Sequence, residues 1–180
     1  GLAAGMACAG FSVYGIAGGS AGNDFALLNF IVAASAAGFL VCNFHPARAF
    51  MGDAGSVPLG LLAGGIGVVG WQAAAWPAWF PVLVFSPFIV DATVTLLRRA
   101  RRRERVWHAH RDHYYQRLVR LGWGHRRTAV AEYAVMLAAG GSALGLLRVA
   151  EPYQWLGLAA WAALYAVLAW RIDGAWAARA

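Results

Sequence analysis

The chain has 180 residues, of which 61% are hydrophobic and 13% are charged, and its formal net charge is +7. Soluble domains usually carry about a quarter charged residues, so this composition excludes an ordinary soluble domain and favours a membrane protein. The charges are clustered, and the apolar stretches between the clusters run for roughly 18 residues, close to the length that crosses a bilayer core. The two isolated cysteines predict neither a disulfide framework nor a metal site.

Hydropathy predicts an all-α fold, a polytopic bundle of about six transmembrane helices. The chain opens inside an apolar stretch with no basic segment before it, so we expect no signal peptide and expect the C-terminal half of a larger membrane protein. The spans are rich in glycine and alanine, which suits close packing of helices. The predicted spans are Leu2–Ala17, Phe25–Cys42, Val57–Ala75, Trp79–Leu97, Val130–Leu147 and Tyr153–Trp170.

Arginine sets the predicted orientation, because the chain has no lysine. Eleven of the 15 arginines lie between Arg98 and Arg127, and the positive-inside rule puts that segment in the cytoplasm. Counting spans in both directions leaves 14 arginines inside and only Arg148 outside. We therefore predict two cytoplasmic loops, at residues 43–56 and 98–128, within one membrane-embedded domain covering residues 1–180.

The first of these loops, in "CNFHPARAFMGDAGSVPLG" (residues 42–60), places Asp53 between two glycines just before a predicted helix. Glycines let backbone N–H groups turn towards an anion, and a helix N-terminus favours phosphate. A carboxylate there repels phosphate unless a cation such as Mg²⁺ bridges the two. The pattern is therefore compatible with a metal–phosphate site. It is also compatible with simple capping, in which Asp53 or Ser56 satisfies the first N–H groups of the helix.

The second loop, "RRARRRERVWHAHRDHYYQRLVRLGWGHRR" (residues 98–127), combines four histidines with the arginine cluster. Histidine and arginine together suit phosphate recognition. The H-x-H spacing of His108 and His110 is only weak evidence for a metal ligand. A polybasic segment that binds anionic lipid headgroups explains the arginine run as well. Nucleic-acid binding is not expected, because the basic segment is held against the bilayer.

Asp91 lies about two helical turns before the cytoplasmic end of its predicted span, in "SPFIVDATVTLLRR". An ionisable group at that depth is costly and usually functional. Arg98, seven residues further on and on the same helix face, is an alternative structural partner. The sequence leaves the functional and the structural roles of Asp91 open.

The segment "NFHPARAFMGDAGSVPLG" resembles the signature N-x-x-P-A-x-x-F-x-G-D-x-G-S-x-x-L-G of the polyprenyl-phosphate N-acetylhexosamine-1-phosphate transferases, bacterial glycosyltransferase family 4. The run "DATVTLLRRARRRERVWHAHRDHYYQRL" resembles the family's D-x-x-x-V/T-x-x-x-R-R stretch and the histidine-containing loop after it. The opening "GLA" matches the end of a third motif. The resemblance covers the whole chain, as the C-terminal half of such an enzyme. The family's Asp-Asp pair would precede residue 1.

The resemblance implies transfer of a sugar phosphate from a UDP-N-acetyl sugar to undecaprenyl phosphate with release of UMP, using Mg²⁺ or Mn²⁺. This would initiate cell-envelope polysaccharide or O-antigen synthesis at the bacterial cytoplasmic membrane. Membrane lipid and a second copy of the protein are further expected partners. The catalytic residues it implies are Asp53, which also holds the metal, and His113 and Arg111, which contact the diphosphate. The substrate-binding residues it implies are Asn43 in the uridine pocket, Phe50 stacked on uracil, Gly52 and Ser56 near the diphosphate, and His110.

The histidine loop departs from the family pattern D-R-x-H-x-H-H-x-L at three positions. His110 replaces the leading aspartate, and Tyr115 and Gln116 replace the two later histidines, whereas Arg111 and His113 match. These changes indicate a branch with its own donor sugar. A transporter or channel with an anion site is the alternative, since glycine-rich spans and the buried Asp91 also suit transport. We expect the chain on its own to be inactive.

Overall fold

The computed structural model describes residues 5–7, 10, 20–44, 46–103 and 113–179, and these residues form helices and connections without a strand. This confirms the predicted all-α class. The helices are α1 (Ser20–Asn43), α2 (Gly52–Gln72), α3 (Trp79–Val84), α4 (Ser86–Arg101), α5 (Tyr114–Leu118), a π-helical turn (Val119–Trp123), α6 (Gly124–Leu146) and α7 (Glu151–Ala177).

Four helical stretches in the described part are long and apolar enough to cross a membrane. They are Asp24–Asn43, Gly52–Gln72, Tyr114–Leu146 and Glu151–Ala177. These stretches confirm four of the six predicted spans. The first predicted span, Leu2–Ala17, lies largely outside the described residues.

The predicted span Trp79–Leu97 is not one helix. The structure divides it into α3 and α4, which are separated at Phe85. Pro87 accounts for the break, because a proline has no N–H to donate to the carbonyl of Leu83 and its ring clashes with that carbonyl. Hydropathy cannot detect this break, since both sides of it are apolar.

The chain divides into two compact units, the first comprising Gly1–Phe85 with Met136–Arg148 and the second Ser86–Val135 with Val149–Ala180. The core of the first unit contains Trp76, which is only 3% exposed. Its indole N–H donates to the carbonyl of Gly67 on α2 at 3.1 Å. Its ring lies 5.6 Å from that of Phe25 on α1 and 5.5 Å from that of Phe80 on α3. The connection after α2 thus folds back and joins three helices.

In the second unit, α4 and α7 are joined by side-chain contacts along their length. The hydroxyls of Ser86 and Tyr165 lie 2.6 Å apart, and Arg98 forms an ion pair with Asp173. The run from α5 to α6 is kinked at Gly122, whose φ of +93° is a conformation that side-chain-bearing residues rarely adopt. The unit therefore places α5 next to α7.

Candidate active site

The loop between α1 and α2 folds back on the end of α1. The carbonyl of Cys42 accepts hydrogen bonds from the N–H groups of Arg48 at 2.8 Å and Ala49 at 3.2 Å. The side-chain amide of Asn43 donates to the carbonyl of Ala49 at 2.9 Å. The two backbone bonds satisfy the carbonyl of Cys42, which a helix end would otherwise leave unpaired. Asn43 therefore holds the shape of the loop, and its place in a uridine pocket stays a prediction.

Asp53 lies in the first turn of α2 and is exposed. The N-cap residue is Met51, which makes no side-chain capping bond, so the structure does not support the alternative in which Asp53 or Ser56 caps the helix. Ser56 is exposed as well. Gly52 has a φ of +60°, which turns the chain into the helix at that point. The Asp53 carboxylate thus lies at the positive end of the α2 dipole, in the turn whose backbone N–H groups lack partners within the helix.

Phe50 and Gly55 flank this carboxylate in the sequence. The Phe50 side chain is 83% exposed, although it is aromatic. A Cβ at Gly55 would lie 2.3 Å from Cγ of Met51, so a larger residue there requires the Met51 side chain to move. The loop therefore combines an exposed ring, an exposed carboxylate and a helix N-terminus within seven residues, Phe50–Ser56.

The described residues contain no group of three or more histidine, cysteine, aspartate and glutamate side chains that could hold a metal ion. Asp53 therefore belongs to no such group within the described part of the chain. Mg²⁺ is commonly held by one or two carboxylates together with substrate phosphates and water. The site fits a Mg²⁺ ion that the substrate helps to bind, and it does not fit a closed metal cage made by the described residues.

His113 lies directly before α5 and contacts Asp91 of α4. Its Nδ1 is 3.4 Å from Oδ2 of Asp91, while Oδ1 of Asp91 accepts the backbone N–H of Tyr114 at 2.8 Å. Thr95, one turn further along α4, donates to the same Oδ1 at 3.4 Å. Arg98, the alternative structural partner considered for Asp91, does not pair with it among the described residues.

Arg98 instead pairs with Asp173 near the end of α7. One of its nitrogens donates to Oδ1 of Asp173 at 2.9 Å, and the other contacts Oδ2 and the hydroxyl of Tyr114. Arg117 donates to the same Oδ1 at 3.1 Å. The guanidinium groups of Arg98 and Arg117 lie 4.9 and 5.9 Å from the centre of the Tyr114 ring, and Arg117 also lies 5.5 Å from that of Trp176.

Sequence reasoning missed this Asp173 cluster. The available signal was a single carboxylate at the predicted cytoplasmic end of the last span, the side that also carries most of the arginines. Such a carboxylate is expected to have a cationic partner. The sequence alone does not say which of 14 arginines that partner is.

Several predicted site residues lie outside the described part of the chain, namely Arg111, His110 and His108. Of the two residues that replace family histidines, Tyr115 is exposed and its hydroxyl accepts a hydrogen bond from the Gln116 amide at 3.1 Å. The Tyr115 ring also stacks on His113, with ring centres 5.9 Å apart. The structure thus brings together Asp91, His113 and Tyr115 in the second unit, and Asn43, Phe50, Asp53 and Ser56 in the loop of the first.

Residues 1–71 match the profile of glycosyl transferase family 4. The chain is 32% identical over 138 residues to the probable undecaprenyl-phosphate N-acetylglucosaminyl 1-phosphate transferase of Bacillus subtilis, covering 75% of this chain and 38% of that protein. It is 30% identical over 121 residues to the decaprenyl-phosphate N-acetylglucosaminephosphotransferase of Mycolicibacterium smegmatis, covering 60% of this chain and 30% of that protein.

A third relative is the phospho-N-acetylmuramoyl-pentapeptide-transferase of Geobacillus thermodenitrificans, which is 30% identical over 141 residues, covering 76% of this chain and 41% of that protein. No solved structure matches the chain significantly. The aligned regions span about two fifths or less of these three relatives. The profile match covers the first loop, and together with the relatives it shows that the chain belongs to glycosyl transferase family 4.

Proposed function

We propose that the chain is part of an enzyme that transfers a sugar 1-phosphate to a polyprenyl phosphate. The names of the relatives support a reaction of this general kind. The observation that carries the proposal is the exposed carboxylate of Asp53 in the first turn of α2, after a loop that closes on the end of α1. A helix N-terminus with an adjacent carboxylate suits a diphosphate bound together with a divalent cation.

The proposed donor is a UDP-N-acetylhexosamine and the proposed acceptor is undecaprenyl phosphate. An oxygen of the lipid phosphate forms a bond to the β-phosphorus of the donor, the bond from that phosphorus to the bridging oxygen breaks, and UMP leaves with the electron pair. Bound Mg²⁺ or Mn²⁺ supplies charge neutralisation at the diphosphate. Asp53 holds the cation, and His113 and Arg111 stabilise the charge on the equatorial oxygens.

The remaining loop residues orient the donor in this proposal. The exposed ring of Phe50 stacks on uracil, and Asn43 supports the pocket wall through its bond to Ala49. Gly52 and Ser56 border the diphosphate. Beyond α4, His110, Tyr115 and Gln116 depart from the family pattern and are the proposed source of a distinct donor sugar.

We place both loops at the cytoplasmic side of the bacterial cytoplasmic membrane. The strong arginine bias supports this orientation, with 14 arginines assigned to one side. In this proposal the polar nucleotide sugar binds the exposed loops, whereas the polyprenyl chain of the acceptor lies in the bilayer beside the apolar helices. The proposed product is the first lipid-linked sugar of a cell-envelope polysaccharide.

The test is the reaction of the full-length protein that carries this chain, in detergent or lipid. The protein is incubated with undecaprenyl phosphate, Mg²⁺ and one UDP-N-acetyl sugar at a time, and both UMP and lipid-linked sugar are measured. We expect equal amounts of both products with one donor, and neither in EDTA. Sugar or ion uptake into vesicles with no UMP from any donor would contradict the proposal and support the alternative, a transporter with an anion site.

A further inference from the structure

Asp91 engages two consecutive residues with its two carboxylate oxygens. Oδ1 accepts the backbone N–H of Tyr114 at 2.8 Å, and Oδ2 lies 3.4 Å from Nδ1 of His113. Asp91 and His113 are both only partly exposed, with 20% and 27% of their side chains accessible. The carboxylate therefore holds the start of α5 and lies beside the imidazole that precedes it.

A second set of contacts holds the other end of Tyr114. Its hydroxyl contacts Arg98 and lies 3.4 Å from Oδ2 of Asp173. Tyr114 is buried, and two guanidinium groups lie beside its ring. Because Tyr114 is held at its backbone and at its hydroxyl, His113 is attached to a residue with little freedom to move.

A carboxylate beside Nδ1 of a histidine selects the tautomer with its proton on Nδ1. The second nitrogen, Nε2, then lies on the opposite edge of the ring as a lone-pair acceptor, and on protonation it becomes a donor towards an anion. An asparagine in place of the aspartate turns an amide N–H towards Nδ1 and favours the opposite tautomer, the known effect of such a change in serine proteases.

We propose that Asp91 is a positioning residue that sets the tautomer and ring orientation of His113 for the transfer reaction. The kinetic part of this inference rests on the proposed function of His113 as a diphosphate contact. Its structural part, the control of the tautomer by Asp91, does not rest on that function. The two parts are therefore tested separately.

The first test measures the tautomer directly. The full-length protein is labelled with ¹⁵N-histidine, and the resonance of His113 is assigned by its loss in His113→Gln. At a pH above about 8, where imidazoles are largely neutral, we expect the His113 proton on Nδ1 in the wild type and on Nε2 in Asp91→Asn. The same tautomer in both proteins would overturn the inference, whether or not the protein shows transferase activity.

The second test is a double-mutant cycle on UMP release. We expect Asp91→Asn to lower kcat at least about 10- to 100-fold, the cost of losing a carboxylate that orients a metal-bound histidine. In a His113→Gln background the same change should cost almost nothing further, because Asp91 acts through His113. If the loss of kcat in the double variant equals the product of the losses in the two single variants, the positioning role of Asp91 is overturned.

Tyr165→Phe is the matched control for this cycle. It removes the 2.6 Å contact to Ser86 on the same helix as Asp91 and does not touch His113. We expect it to leave kcat and the His113 tautomer unchanged. A loss equal to that of Asp91→Asn would contradict the inference and show that any loosening of α4 has the same effect. Absence of UMP release by the wild type would contradict the proposed function alone.

Discussion

Gly70→Ala tests whether the glycines of α2 are packing positions. A Cβ at Gly70 would lie 2.0 Å from Cζ2 and 2.3 Å from Cε2 of Trp76, far inside normal van der Waals contact. Trp76 is buried, and its indole N–H is bonded to Gly67, so the ring cannot withdraw without losing that bond. Overpacking of this kind costs about 1–3 kcal/mol, and a lost buried hydrogen bond costs about 1 kcal/mol more.

Gly64→Ala is the matched control in the same helix. No heavy atom of the described residues outside its own helical turn lies within 4 Å of a Cβ at Gly64. Alanine in a helix interior is favoured over glycine by about 1 kcal/mol. That gain also offsets part of the cost at Gly70, which leaves a net loss of about 1–3 kcal/mol there.

The assay is thermal unfolding of the full-length protein and both variants in one detergent, followed by tryptophan fluorescence. We expect Gly70→Ala to lower Tm clearly and Gly64→Ala to leave it equal or higher. Equal Tm values for the two variants would refute the reasoning, because glycine would then be needed at both positions or at neither. Such a result would show that the packing of Trp76 against α2 does not limit the stability of the protein.

Three other outcomes follow from the contacts described above. Asp173→Asn should lower Tm, because it removes the charge that pairs with Arg98 and Arg117, and charged hydrogen bonds of this kind contribute about 1.5–3 kcal/mol; an unchanged Tm would contradict a stabilising cluster. Asn43→Ala should raise KM for the nucleotide sugar more than it lowers kcat, since the loop loses its bond to Ala49; an unchanged KM would contradict its role. Removal of divalent cations with EDTA should stop UMP release, and added Mg²⁺ should restore it; full activity in EDTA would contradict the metal proposal.

Much of the fold follows from local sequence properties. Runs of apolar residues predicted the helices that begin at Ser20, Gly52, Gly124 and Glu151, because the length and apolar composition of a helix can be read without knowing its neighbours. The break at Phe85 was missed because hydropathy detects apolar composition and not a local change in backbone geometry. Hydropathy averages over a window, whereas the effect of Pro87 is confined to one turn.

The first loop was predicted more fully than the second. The glycines and Asp53 lie next to each other in sequence, so their clustering needed no tertiary information. The partners of Asp91 and Arg98 are 22 and 75 residues away from them. Helix periodicity can propose only partners on the same helix, and it therefore offered Arg98 as the alternative partner of Asp91.

The measurement that tests the central claim most directly compares Asp53→Asn with Glu151→Gln. Both acids are exposed in the first turn of a long apolar helix, and each change removes one charge with almost no change in shape. UMP release from the full-length protein is measured with undecaprenyl phosphate, Mg²⁺ and the active donor. We predict that Asp53→Asn reduces UMP release to background while Glu151→Gln retains it. Wild-type UMP release by Asp53→Asn would contradict the assignment of Asp53 as the metal-binding residue of a sugar-1-phosphate transferase.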